Sequence, residues 1–293
     1  MEFFKAILKH PVTQYFLRLY QNIDDDFIGL LAAGVAFYFF LAAFPAIAAL
    51  ISLYGLFSDP VFVTQQIESL ESFLPPDSLK ILADQARSIS ATSGAALGFG
   101  FVVGLMLTIY STTKGVSALI KGLNIAYNVR ERRNVVVLNF TAFMLTFVMM
   151  AYMLFALSLI ALMPAFFNFI HLPDSIEIPL LMLRWPLLLL SGVFGVQILY
   201  NFAPCHAQHK KKWFTWGALI ATLFWVGGSS LFSLFVSNFG KYNETYGSLG
   251  AVAVLLLWFW LSGLSVLLGA EVNASFTPRT QKVHGPQDAL KDT

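Results

Sequence analysis

The chain has 293 residues, of which 57% are hydrophobic and 12% charged, and its formal net charge is +2. Soluble domains carry roughly 25% charged residues, so much of this surface must face lipid rather than water. So small a net charge argues for no nucleic-acid partner, and the single cysteine, Cys205, excludes an internal disulfide.

No interval between apolar runs reads as a soluble domain, the longest being residues 58–94. The expectation is therefore one membrane domain over residues 1–275 and a polar tail over 276–293. The first long apolar run starts at Phe27, behind Asp24-Asp25-Asp26, which is not the layout of a cleavable signal peptide. The chain is expected to keep its N-terminus.

Ahead of that run, Phe4, Ile7, Leu8, Val12, Tyr15, Phe16 and Leu19 recur at helical spacing with Lys5, Lys9 and Arg18 between them. This suits a helix lying on a membrane surface, or equally one packed under a helix bundle. A membrane-spanning helix needs about 20 mostly apolar residues. Such runs fall at about 27–57, 95–120, 135–170, 178–202, 214–236 and 249–270. Their length excludes a transmembrane barrel, whose strands run to about ten residues of alternating polarity. The fold class is all-α: a polytopic bundle of six spans. Between the first two spans, Ile67, Leu70 and Leu74 form one apolar stripe, Pro75-Pro76 break it, and Asp77 can cap a second helix carrying Leu79, Leu82, Ala86 and Ile89. That loop is read as amphipathic helices over the outer mouth.

Lys and Arg in the connections set the orientation. With the N-terminus inside, thirteen of them fall on the cytoplasmic side and only Lys80, Arg87 and Lys241 on the other, while Lys114 and Arg184 lie within apolar runs. Both termini are therefore expected in the cytoplasm.

Small residues let helices approach closely in lipid. Gly29, Ala33 and Ala36 on the first span, and the Gly100/Gly104 pair on the second, are read as contact faces. Pro45, Pro164 and Pro186 each remove a helix hydrogen bond, and Pro45 and Pro186 are candidate kinks beside a cavity. Charge within a span is the most informative signal, because it costs about 2.5–3.5 kcal/mol on the mildest scale. Arg184, counted about six residues in from Ile178, can snorkel, pair with carbonyls freed beside Pro186, or hold an anionic group with its donor fork. Lys114 and Glu271, near the inner ends of the second and sixth spans, suit an ion pair, either as a lock between helices or as part of an inner gate. Asp24 to Asp26 can partner Lys121 or the Arg130–Arg133 cluster, or form a solvated run. Metal chemistry has little to stand on, since only Cys205-His206-Ala207-Gln208-His209 gathers candidate ligands and no acid completes a set. No metal, cofactor or catalytic residue is assigned.

Four blocks together resemble the YihY/BrkB family of bacterial inner-membrane proteins. They are Ala36-Phe37-Tyr38 leading to Phe44-Pro45, Ala118 to Arg133 with its Leu123-Asn124-Ala126-Tyr127 core, Arg184-Trp185-Pro186, and Tyr246-Gly247-Ser248-Leu249-Gly250-Ala251 through Leu257-Trp258 to Leu268-Gly269-Ala270-Glu271 and Asn273. The resemblance implies six spans in the inner membrane. It implies no agreed substrate: members are associated with serum resistance or with lipopolysaccharide and lipid handling, and the older label ribonuclease BN finds no metallohydrolase ligand set here. The reading is a non-enzymatic transporter or lipid-handling protein whose substrate is an anionic lipid or solute contacted by Arg184, with Lys114 and Glu271 on the inner side. Its partners are membrane lipids, with self-association or a membrane-protein partner as the scaffold alternative, and no nucleic acid.

Overall fold

The structure, a computed structural model, describes residues 11–57, 94–170, 174–205, 212–238 and 248–276. The amphipathic loop between the first two spans, the His206/His209 cluster, Tyr246-Gly247 and the tail beyond Phe276 lie outside the described residues. Seven helices are described: α1 (Pro11–Asp25), α2 (Ile28–Phe57), α3 (Gly94–Ala126), α4 (Val135–Ile170), α5 (Asp174–Phe202), α6 (Trp216–Asn238) and α7 (Ser248–Ser275). There is no strand among the described residues.

The six helices α2 to α7 each contain an apolar stretch of 21 to 29 residues. At about 1.5 Å per residue the shortest reaches roughly 32 Å, enough for a hydrocarbon core of about 30 Å. Large apolar side chains stand outward along every one of them, among them Leu30, Met106, Val136, Leu154, Leu190, Leu231 and Leu257. So much exposed hydrocarbon is tolerable only in lipid, and the chain is a polytopic helical membrane protein.

The helices outrun the hydropathy at one end of the bundle. α3 continues past Lys121 to Ala126 and α7 past Glu271 to Ser275, because Leu123, Ala126, Glu271 and Ala274 are all packed inside. Charge marks where the apolar run stops, whereas the helix ends where its backbone is capped. For α3 the cap is a Schellman turn at Asn128 (φ 53°), with Val129 N–H donating to Asn124 O (2.8 Å) and Asn128 N–H to Ile125 O (2.9 Å). Asn134 then opens α4 by accepting from Val137 N–H at 2.8 Å.

The described residues fall into two compact units. Within Phe39–Thr112, α2 and α3 meet at small residues. A Cβ on Gly104 would lie 3.1 Å from both Pro45 O and Ala49 N, and one on Gly100 would lie 3.2 Å from Ser52 Oγ. Gly100 and Gly104 thus form a contact face, and it meets α2 at Pro45, Ala49 and Ser52. α2 passes through Pro45 as one helix, and α5 likewise through Pro186.

The other unit comprises the described residues within Met1–Tyr38 and Thr113–Thr293. Here α2 buries Ile28, Ala32, Val35 and Ala36, while Ala33 faces outward and a side chain at Gly29 would meet nothing within 4 Å. Gly29 instead serves through its carbonyl, which accepts from Trp260 Nε1 at 2.9 Å. The expected contact face on α2 is therefore rotated: Ala36 belongs to it and Ala33 does not, because Gly263 of α7 packs against Ala32 and Val35. α6 and α7 touch backbone to backbone, since a Cβ on Gly217 would fall on Gly269 O and one on Gly269 would fall on Gly217 O. α1 docks on the end of α7. Ser275 donates to Val272 O (2.7 Å), so in the 2.8 Å contact between Tyr15 OH and Ser275 Oγ the phenol is the donor. The Tyr15 ring also lies 5.9 Å from Phe276. Leu17 and Tyr20 stay exposed on α1, which is thus packed under the bundle on one face and open on another.

Candidate functional site

Most of the polar contacts in this unit gather where α3, α5 and α7 finish and α4 and α6 begin. Thr215 caps α6, accepting from Ala218 N–H (3.3 Å). It also donates to Gln197 Oε1 (2.7 Å) and accepts from Asn273 Nδ2 (3.0 Å), which fills the capacity of its hydroxyl. Asn273 donates its second amide hydrogen to Tyr127 OH (3.1 Å) and accepts from Gly217 N–H (2.8 Å), a backbone group of the first turn of α6 that has no helical partner. Gln197 and Asn201 both donate to Lys212 O, at 2.8 and 2.7 Å, and so tie the connection between α5 and α6 back onto α5. Tyr200 donates to Val266 O (2.6 Å).

A second group joins the α3–α4 loop to the end of α5. Arg133 grips Glu131 with its guanidinium, Nε to Oε1 at 2.8 Å and Nη2 to Oε2 at 2.7 Å, and its own N–H reaches Oε1 at 2.9 Å. Asn124 Nδ2 donates to Glu131 Oε2 (2.8 Å), while Asn124 Oδ1 accepts from Cys205 N–H (2.9 Å). Arg133 Nη2 also reaches Ala203 O (2.8 Å), placing a cation at the C-terminal end of α5, where the helix dipole favours one. The Arg133 side chain, by hydrogen bonding, holds the Glu131 carboxyl down to about 2 against the opposing effect of partial burial, and Arg133 N–H and Asn124 add to it. Glu131 in turn raises the Arg133 pKa.

Most of the donors and acceptors in these two groups are paired with one another, and a polar network so paired rigidifies rather than reacts. The arrangement is a lock. Composition and motif matching pointed to Asn124, Tyr127 and Asn273 only as parts of family blocks, and missed Gln197, Tyr200 and Thr215. A signal for Thr215 was available, as a capping residue at the very start of the fifth apolar run. For Gln197 the signal was an amide side chain within the fourth apolar run.

The residues singled out from sequence are dispersed. Arg184 lies on α5, half-buried, its Cζ 5.2 Å from the centroid of the exposed Trp185 ring. It makes no hydrogen bond or ion pair with another described residue. It is the third residue of the apolar stretch Met182–Phe202, about 26 Å along α5 from Asn201. Glu271 is fully buried on α7, and Lys114 is half-buried on α3. Pro45 and Pro186 lie within α2 and α5. An open hollow of about 260 Å³ is lined by Tyr20, Ile23, Asp24, Phe27, Gly29 and Leu30, at the elbow between α1 and α2, and includes neither proline. Arg133 takes Glu131 rather than an aspartate of the 24–26 run. Among the described residues no group of three His, Cys, Asp or Glu is placed to hold a metal ion.

The sequence matches the family described as virulence factor BrkB over residues 19–292. The chain belongs to the BrkB family. Among BrkB-like relatives, the ribonuclease-like protein YfkH of Bacillus subtilis (strain 168) is 31% identical over 255 residues, covering 83% of this chain and 88% of that protein. A UPF0761 membrane protein of Vibrio parahaemolyticus is 26% identical over 290 residues, covering 94% and 86%. No solved structure matches. In this BrkB chain the lock draws on two of the blocks that carry the family likeness, through Asn124, Tyr127, Glu131 and Arg133 in one and Asn273 in the other. The Gly269 side of the α6–α7 crossing belongs to the latter block as well.

Proposed function

We infer that this BrkB-family protein moves or handles an anionic lipid or anionic solute in the bacterial inner membrane, and that Arg184 contacts the anionic group. The observation that carries this reading is Arg184 itself: a guanidinium inside an apolar stretch, beside an exposed indole, whose donors meet no other described residue. An arginine in hydrocarbon needs an acceptor, and a phosphate or carboxylate matches its planar fork. In this reading the basic end faces the cytoplasm with both termini, and Lys114 and Glu271 form an ion pair or gate on that side. Hydrolysis has no part in it.

The test is reconstitution in vesicles followed by transfer of a labelled anionic phospholipid between leaflets, and uptake of small anions in parallel. Arg184→Ala should reduce the active one of these by tenfold or more with an unchanged thermal melt, and Arg184→Lys should recover only part of it. A folded Arg184→Ala protein with full activity would remove Arg184 from the mechanism. The scaffold reading, in which the protein binds a membrane partner or its own copies, draws on Gly34 and Gly227, where a side chain would meet nothing within 4 Å. It requires a partner recovered in mild detergent and no transfer in vesicles.

A further inference from the structure

The α3–α4 loop carries Arg130, Glu131, Arg132 and Arg133 in succession, and the structure treats alternate residues differently. Glu131 and Arg133 turn inward to each other, to Asn124 and to Ala203 O, whereas Arg130 and Arg132 are exposed. Neither exposed arginine makes a hydrogen bond or ion pair with another described residue. The one acid between them is already held by Arg133. Residues 129–132 have no regular secondary structure. Two positions apart, Arg130 and Arg132 are anchored on the backbone within about 7 Å of each other at most. The inward pair fixes the backbone on which the outward pair is presented, so little ordering remains to be lost on binding.

The apolar surface beside the arginines decides the ligand. α4 begins two residues after Arg133, and its first turns expose Val135, Val136 and Phe140 at 73%, 75% and 62%. Two unpaired cations thus stand directly at the edge of a lipid-facing apolar surface, the layout that a phosphate headgroup with attached acyl chains would fill. A soluble polyanion would use the arginines and leave the apolar surface without a role. We propose that Arg130 and Arg132, with Val135, Val136 and Phe140, form a binding site for an anionic phospholipid. The site does not rest on the role given to Arg184, which sits on a different helix, near the far end of α5.

The experiment is native mass spectrometry of the full chain in mild detergent, titrated with phosphatidylglycerol or phosphatidylcholine of the same acyl chains. Phosphatidylglycerol should bind the wild type more tightly. Arg130→Gln with Arg132→Gln should weaken it about fivefold per arginine, roughly twenty-five-fold for the pair, while phosphatidylcholine binding stays as it was. The doubly substituted Lys variant, which keeps both charges, should retain most of the preference. Independently of any variant, raising the ionic strength from about 0.05 to 0.5 M should erode the wild-type preference, because exposed cations are screened. Equal binding of the two lipids, a preference that survives the Gln substitutions, or one that ignores salt would overturn the proposal. So would displacement of the lipid by a short RNA oligonucleotide at matched phosphate concentration, which would reassign the arginines to a nucleic acid.

Discussion

Glu131 has an arginine on either side in sequence, yet it is held by a third, two residues on. Its carboxyl titrates at about 2 in the fold against an ordinary 4.5. A group whose folded pKa is depressed contributes stability that is fully present above the ordinary value and fades as the pH falls towards the folded one. Wild type should therefore melt above Glu131→Gln at neutral pH, and the gap should close between about pH 4.5 and 2. Thermal unfolding in detergent at stepped pH measures this, and a gap that stayed constant down to pH 2.5 would contradict the clamp. Asn273 is the corresponding residue of the other group. Asn273→Ala leaves Gly217 N–H and one acceptor site on Thr215 without partners and should destabilise by about 1–3 kcal/mol, whereas Asn139→Ala, on the exposed face of α4, should change little. The contacts between elements could not be read from the chain, because they join residues far apart in sequence, such as Gly217 with Asn273, 56 positions apart, and Asn124 with Cys205, 81 positions apart.

Helices were far more legible than their contacts. Lipid imposes one rule, that a span must satisfy its own backbone, so length and apolarity alone located all six. Rotation about each helix axis is another matter. In a chain apolar all round there is no polar face to orient it, and only backbone proximity distinguishes a buried glycine from an open one. That is why Gly100 and Gly104 read correctly, while Gly29 proved to matter for its carbonyl and Ala33 to face outward. Gly217 and Gly269 went unremarked as a crossing although each is sterically obligatory. Gly217→Ala and Gly269→Ala should each lose stability at the upper end of the about 1–3 kcal/mol range for overpacking, or fail to accumulate, since the obstructing atom is backbone and cannot swing away. Gly34→Ala, with open space around it, is the matched control, and detergent melts of the three variants decide the point. Helix ends were misjudged for a related reason: α3 and α7 extend past Lys121 and Glu271 because packing, rather than hydropathy, ends them.

For the molecule as a whole, the polar lock occupies the end rich in Lys and Arg, and the proposed orientation puts that end in the cytoplasm. Cysteines placed at the exposed Lys212 and Phe276, in a Cys205→Ser background, should react with a membrane-impermeant thiol reagent only after the membrane is opened. Labelling in intact spheroplasts would reverse the orientation. Function was the least legible level, because an apolar chain offers few groups with which to do chemistry, and those it has are largely spent on holding helices together. Arg184 is a charged side chain within an apolar stretch and makes no hydrogen bond or ion pair with another described residue. The most direct test of its role is mass spectrometry of the lipids that stay with the gently purified protein, comparing wild type with Arg184→Ala. One anionic lipid should be enriched over bulk in wild type and lost from the variant while the fold persists; bulk-like lipid in both, with no anionic solute transported, would contradict that role.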